Sequence, residues 1–166
     1  MITDAALMCE VEAIKVLKAR YCRYLDAKDW ARWRGIFADD FVGDTSESGG
    51  EIITGADAFV AYTQRHLGKR SRPTVHQVHA PEIELSSATT ATGVWALQDV
   101  VRIGIGLNLL GYGHYHDNYV KVAGRWYLGR SKLTRLREDI FNPFFSMRIS
   151  PRLRDVGSAL ARRRST

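Results

Sequence analysis

Asp26 and His76 are the two residues whose types suit each other best for chemistry. Asp26 lies in Tyr24-Leu25-Asp26-Ala27-Lys28-Asp29-Trp30, and His76 lies in Pro73-Thr74-Val75-His76-Gln77-Val78-His79. A carboxylate that holds one imidazole nitrogen leaves the other free to take a proton. Such a pair is a general base that calls for no metal and no cofactor. Other chemistries lack their signatures. There is no Gly-x-Ser-x-Gly elbow for a serine nucleophile. Gly104-Ile105-Gly106 and Gly111-Tyr112-Gly113 do not open a helix after a strand, as phosphate-binding loops do. Cys9 and Cys22 fall about 20 Å apart along one helical pattern, too far for a disulfide, and read as reduced thiols.

The elements that must position the pair follow from periodicity. Residues 5–26 predict a helix, because Leu7, Val11, Ile14, Leu17, Tyr21 and Leu25 recur at spacings of three and four. Asp26 falls at its C-terminal end, where a negative charge opposes the helix dipole and needs compensation. Residues 29–37 predict a second helix with Asp29 as N-cap and Trp30, Trp33 and Phe37 as its apolar stripe. A short strand over 38–42, a turn over 45–51, Ile52-Ile53 and a third helix from 55 to about 67 complete the first half. The remainder predicts four long strands, 74–85, 89–103, 108–122 and 124–136. Pro81 places an edge or a bulge in the first of them. Helices followed by antiparallel strands argue an α+β fold, with a curved sheet wrapping a helix.

The 166 residues suit one domain. The net charge of +6 is unevenly placed: residues 1–140 balance to +1. Residues 141–166 carry Arg148, Arg152, Arg154, Arg162, Arg163 and Arg164 against Asp155 alone. The basicity therefore belongs to a C-terminal extension, read as a solvated tail on a domain spanning 1–140. The aromatics are not interleaved with basic residues in a nucleic-acid-binding pattern. No apolar stretch approaches the roughly 20 residues that span a bilayer, and the N-terminus lacks the pattern of a signal peptide, so a cytoplasmic protein is expected.

The order of elements resembles the nuclear transport factor 2-like superfamily, an α+β cone, and within it the SnoaL-like family. The resemblance rests on the segment ending at Trp30, on Ile36-Phe37-Ala38-Asp39-Asp40-Phe41, and on Ile53-Thr54-Gly55-Ala56-Asp57-Ala58-Phe59. Thr74-Val75-His76, Gly113-His114-Tyr115-His116-Asp117-Asn118-Tyr119 and Gly124-Arg125-Trp126-Tyr127-Leu128 complete it, over about residues 5–140. Similar proteins include scytalone dehydratase, hexachlorocyclohexane dehydrochlorinase, bile-acid dehydratases and polyketide cyclases. The resemblance implies a cone-shaped antiparallel or mixed sheet around the N-terminal helices, with Asp26 and His76 as a cofactor-free catalytic dyad in an apolar pocket. The implied chemistry is that of a lyase or isomerase acting on a small hydrophobic cyclic molecule, a steroid or polyketide among the options. The implied assembly is a homodimer joined through the convex face of the sheet. The alternative within the superfamily is a non-catalytic module that binds a small molecule or a protein. Scytalone dehydratase itself fits poorly, because its second pocket histidine aligns with Val101 and its two water-orienting tyrosines align with Leu25 and Thr45.

Counting by two from Val101 places Asp99, Leu97 and Trp95 on the same side of one strand, as substrate-binding candidates. Asp99 facing an apolar pocket is costly without a partner, so it is either a second acid or the mate of Arg102, Arg130 or another strand cation. Tyr115 and Tyr119 are candidate phenol donors into the pocket, whereas Trp126 reads as core. His79 falls on the face opposite His76, and His114 and His116 share the face opposite Tyr115 and Tyr119. No carboxylate or cysteine completes these three histidines into a metal site, so no metal is expected.

Overall fold

The computed structural model describes residues 4–104 and 106–149. Helix α1 (Asp4–Ala27) buries Ile14, Leu17, Tyr21, Cys22 and Leu25 along one face. It ends in a Schellman turn. The Lys28 amide donates to the Leu25 carbonyl at 3.1 Å and the Asp29 amide to the Tyr24 carbonyl at 2.9 Å. Lys28 adopts φ +60°, a conformation that glycine fills at least cost. Its Nζ is anchored on Thr74 Oγ1 at 2.8 Å. Helix α2 (Trp30–Arg34) is capped by Asp29, which accepts from the Arg32 amide at 3.2 Å. It is shorter than its apolar stripe suggests, since Gly35 ends it and Phe37 already belongs to a strand.

The chain continues through β1 (Phe37–Asp44), a 3-10 turn (Ser46–Ser48), β2 (Ile52–Thr54) and α3 (Ala56–Leu67). Then come β3 (Thr74–Leu85), β4 (Thr90–Gly104), β5 (Leu107–Val122), β6 (Arg125–Phe141) and β7 (Ser146–Ile149). The open sheet has the order β2-β1-β6-β5-β4-β3, with β7 paired to the far end of β6. Among the described residues only the β1–β6 pairing is parallel, and the other pairings are antiparallel. β3 is an edge strand, and Pro81 is accommodated by a bulge between His79 and Glu82 in which Ala80 takes φ +46°. The sheet also runs past residue 140. Residues 137–141 are too charged to read as a strand, yet Glu138 and Asp139 are buried there and Arg137 pairs with Asp139 at 2.7 Å. The Arg-rich segment beyond residue 149 lies outside the described residues.

The core fills the space between sheet and helices with aromatic rings. Trp33 packs edge-on to Phe37 at 4.9 Å, Phe37 lies 4.3 Å from Phe41, and Phe41 lies 5.0 Å from Phe59. Such contacts add to the burial of large apolar surfaces. Outside this core, Glu10 ties α1 to the β5–β6 hairpin, accepting from Lys121 Nζ and Trp126 Nε1 at 2.6 Å each. Those two bonds, Lys121 foremost, hold its carboxyl below the usual glutamate range. Among the described residues no helix is long and apolar enough to cross a membrane. Trp33 is fully buried at the centre of the ring cluster. Trp33→Ala should therefore cost about 3–5 kcal/mol in urea denaturation, and a loss near zero would show that the cluster does not carry the core.

Candidate active site

Asp26 projects from the last turn of α1 onto the start of β3. Its carboxylate takes three hydrogen bonds there. The Thr74 hydroxyl donates to Oδ1 at 2.8 Å, the His76 amide donates to Oδ2 at 2.8 Å, and His76 Nδ1 meets Oδ1 at 2.7 Å. Three donors from β3 thus offset the unfavourable placement of a carboxylate at a helix C-terminus. The His76 side chain is 5% exposed. With Nδ1 engaged by Asp26, Nε2 is the nitrogen left to accept a proton.

His76 lines a cavity of about 240 Å³. Tyr21 and Leu25 of α1, Phe59, Tyr62, Thr63 and His66 of α3, and Thr45 with Ser48 from the β1–β2 connection form one side. Asp99 and Val101 of β4, Leu109 and Tyr115 of β5, and Leu133 and Arg135 of β6 form the other. Burial raises the Tyr21 and Tyr115 phenols above the usual tyrosine range, so both remain O–H donors. Burial also pushes the Cys22 thiol up to about 11, which keeps it from acting as a thiolate.

Asp99 is held by Arg135, two strands away. The guanidinium donates to both carboxylate oxygens, at 2.9 Å and 2.7 Å, and both side chains are almost wholly buried. Burial, the largest single influence, works to lower the Arg135 pKa, but the charge and hydrogen bonds of Asp99 together with the nearby Tyr115 and Glu138 raise it overall, so the guanidinium stays protonated. The pair crosses over β5 at Gly111, which is in register with Asp99. A Cβ at Gly111 would collide with Asp99 Oδ1 and Arg135 Nη1. Glycine is required there because the ion pair occupies the place of its side chain. Asp99 is thereby an acceptor locked to a cation; of its two expected roles, the geometry suits the mate of a strand cation and not the second acid.

Of the residues singled out in the sequence, the structure gathers Asp26, His76, Asp99, Val101 and Tyr115 around the cavity. It places Trp95, Leu97 and Tyr119 in the core instead, not among the cavity-lining residues. The reason is a buried chain of bonds beneath the cavity. Trp95 Nε1 donates to the Tyr119 hydroxyl at 2.9 Å, and that hydroxyl donates to Asp117 Oδ2 at 2.7 Å. The same oxygen meets Lys18 Nζ at 2.7 Å, with both side chains of that ion pair fully buried. The Lys18 ammonium sits 3.6 Å above the Tyr115 ring centroid and so supports the cavity wall from below. His79 and His116 are exposed, and His116 Nε2 lies 3.2 Å from Thr134 Oγ1. Among the described residues no group of three His, Cys, Asp or Glu residues converges as a metal site.

Tyr21, Tyr62, His66 and Arg135 were not singled out in the sequence. Their spacing carried a signal for three of them. Tyr21 precedes Leu25 by one helical turn, and Phe59, Tyr62, Thr63 and His66 share one face of α3. Arg135 sits two residues from Leu133 on the same side of β6, but nothing in the sequence pairs it with Asp99.

A SnoaL-like domain spans residues 7–132, and the chain belongs to that family, within the nuclear transport factor 2-like superfamily. Probable cyclase FGR4 of Gibberella zeae is 24% identical over 133 residues, covering 72% of this chain and 86% of that protein. Rv3472 of Mycobacterium tuberculosis, a protein of unknown function, superposes with a TM-score of 0.68 at 26% identity. That match covers 79% of this chain and 74% of the other. The hexachlorocyclohexane dehydrochlorinase LinA-type3 of Novosphingobium barchaimii LL02 superposes with a TM-score of 0.72 at 15% identity. It covers 89% of this chain and 95% of the other, a likeness of fold.

Two outcomes follow from the geometry. Neutral His76 should carry its proton on Nδ1, which ¹⁵N-resolved imidazole spectra read directly; an Nε2–H tautomer would contradict the Asp26 contact. Gly111→Ala should disrupt the Asp99–Arg135 pair and destabilise the fold by about 3–5 kcal/mol, the cost of breaking a buried ion pair. A stability within about 1 kcal/mol of wild type would show that the pair is not held over β5 as described.

Proposed function

We propose that the protein is a cofactor-independent lyase or isomerase acting on a small hydrophobic cyclic substrate, with His76 as general base and Asp26 as its orienting partner. The observation that carries this reading is the 2.7 Å contact between Asp26 and His76 at the wall of a largely apolar cavity. Its 240 Å³ lies just below the roughly 300–1,000 Å³ usual for ligand pockets, which favours a compact molecule of one or two rings. Membership of the SnoaL-like family, whose relatives include proteins named as a cyclase and a dehydrochlorinase, supports the same class.

In this reading His76 Nε2 takes a proton from a carbon next to a carbonyl. The electron pair left behind forms the new double bond as the leaving group departs, or recaptures a proton elsewhere in an isomerisation. Tyr21, kept protonated by burial and accepting a hydrogen bond from Tyr115, is the donor for the carbonyl oxygen as charge develops on it. Asp26 keeps the imidazole in one tautomer and one orientation. Arg135 and Asp99 fix the polar end of the cavity. A cytoplasmic homodimer joined through the outer face of the sheet belongs to the same proposal.

The test is a screen of cyclic β-hydroxy and β-halo carbonyl compounds, followed by variants. His76→Ala should lower turnover roughly 10²–10⁴-fold while leaving the circular dichroism spectrum unchanged. Asp26→Asn should lower it by a smaller factor, because asparagine still occupies the position but no longer stabilises the imidazolium. Turnover unaffected by His76→Ala would sink the mechanism. Binding of the same compounds without turnover would favour the non-catalytic binding module.

A further inference from the structure

A second cleft, of about 580 Å³, opens between the α3–β3 loop and the turn that joins β4 to β5. Lys69, Arg70, Arg72 and Arg102 line it, and among the described residues no Asp or Glu does. Among the described residues none of these four cations forms an ion pair with a carboxylate. Arg34, Arg135 and Arg137, in contrast, each rest on a carboxylate. Four like charges around one concavity repel one another, and an anion placed between them relieves that repulsion.

The cleft is also built, and not merely charged. The Arg102 amide donates to the Pro73 carbonyl at 3.0 Å, which pins the two walls together, and the Arg72 amide closes a turn on Lys69 O at 2.9 Å. Arg72 Nη1 donates to the His66 carbonyl at 2.8 Å, and Arg102 Nε donates to Asn108 Oδ1 at 2.7 Å. The Arg72 and Arg102 guanidiniums are thus each oriented by one N–H and keep the others for a ligand. Planar guanidinium forks match the oxygens of a phosphate group, and a charge of four suits a multiply charged anion better than a single carboxylate. Among the described residues the lining holds no aromatic ring on which a nucleobase would stack, which disfavours single-stranded nucleic acid.

We infer that Lys69, Arg70, Arg72 and Arg102 form a binding site for a diphosphate-bearing small molecule, separate from the His76 cavity. The site goes beyond the proposed chemistry and does not depend on it. The experiment is calorimetric titration of the full chain with inorganic pyrophosphate at low and at 0.15 M salt. Saturable binding with one site per chain, weakened about tenfold or more in Lys69→Gln/Arg70→Gln and in Arg102→Gln, is the expected result. Both residues of the double variant are exposed, so it should fold as wild type does. Arg20→Gln, an exposed change on α1, should leave the affinity unchanged. No saturable binding, or binding that the cleft variants do not weaken, overturns the inference. Tighter binding of a single-stranded RNA than of pyrophosphate, lost in the same variants, overturns it in favour of a nucleic-acid surface.

Discussion

One carboxylate joins the end of α1 to the edge of the sheet, and the candidate site exists because of it. Asp26 draws Thr74 and His76 to itself with three hydrogen bonds, and in doing so sets the start of β3 against the helix. The helix has two further polar clasps at intervals of eight residues, or about 12 Å of rise each. Glu10 grips the β5–β6 hairpin and Lys18 grips Asp117 on β5. Walking along α1, the clasps move from the hairpin to β5 and then to the edge strand β3. The sheet wraps the helix along the same path. Lys28, held in a left-handed conformation and anchored on Thr74, reinforces the last clasp.

The buried charges near the cavity are paired with one another. Lys18 and Asp117 are charges taken wholly out of water, and so nearly are Asp99 and Arg135. Such pairs contribute little net stability, since desolvation offsets most of their attraction. They fix arrangement instead. The first spends Tyr119 and Trp95 beneath the floor, and the second spans three strands across Gly111. Beside its apolar side chains the cavity is faced by the phenols of Tyr21, Tyr62 and Tyr115, the imidazoles of His66 and His76, and the paired Asp99 and Arg135. Of the two imidazoles, His76 is the one held by a carboxylate, whereas His66 Nδ1 rests on the Tyr62 carbonyl at 2.8 Å, and the nearby Cys22 is held as a thiol by burial.

The fold was legible in the sequence where one period dominates. The 3.6-residue recurrence through Leu25 and the long alternations from Thr74 onward marked α1 and the strands, and Pro81 marked the edge and its bulge. The end of β6 was not legible, because its buried Glu138 and Asp139 look like surface residues until their burial is seen. In the site, Asp26 and His76 stood out through residue type and a family resemblance. Trp95 and Tyr119 share the inward face with Asp99 and Tyr115, and alternation alone cannot tell a cavity wall from the core beneath it. The partner of Asp99 was hidden for a related reason. Arg135 reaches it across a middle strand, and only the missing side chain of Gly111 permits that crossing.

The central claim is that His76 takes a proton from carbon inside the cavity. The most direct measurement is proton NMR in D₂O of cyclic carbonyl compounds that bind the cavity, watching one carbon-bound hydrogen exchange for deuterium. The account predicts exchange at a carbon next to the carbonyl with the wild-type protein and none above background with His76→Ala. A compound shown to occupy the cavity that exchanges no hydrogen, or that exchanges equally fast with His76→Ala, would contradict it.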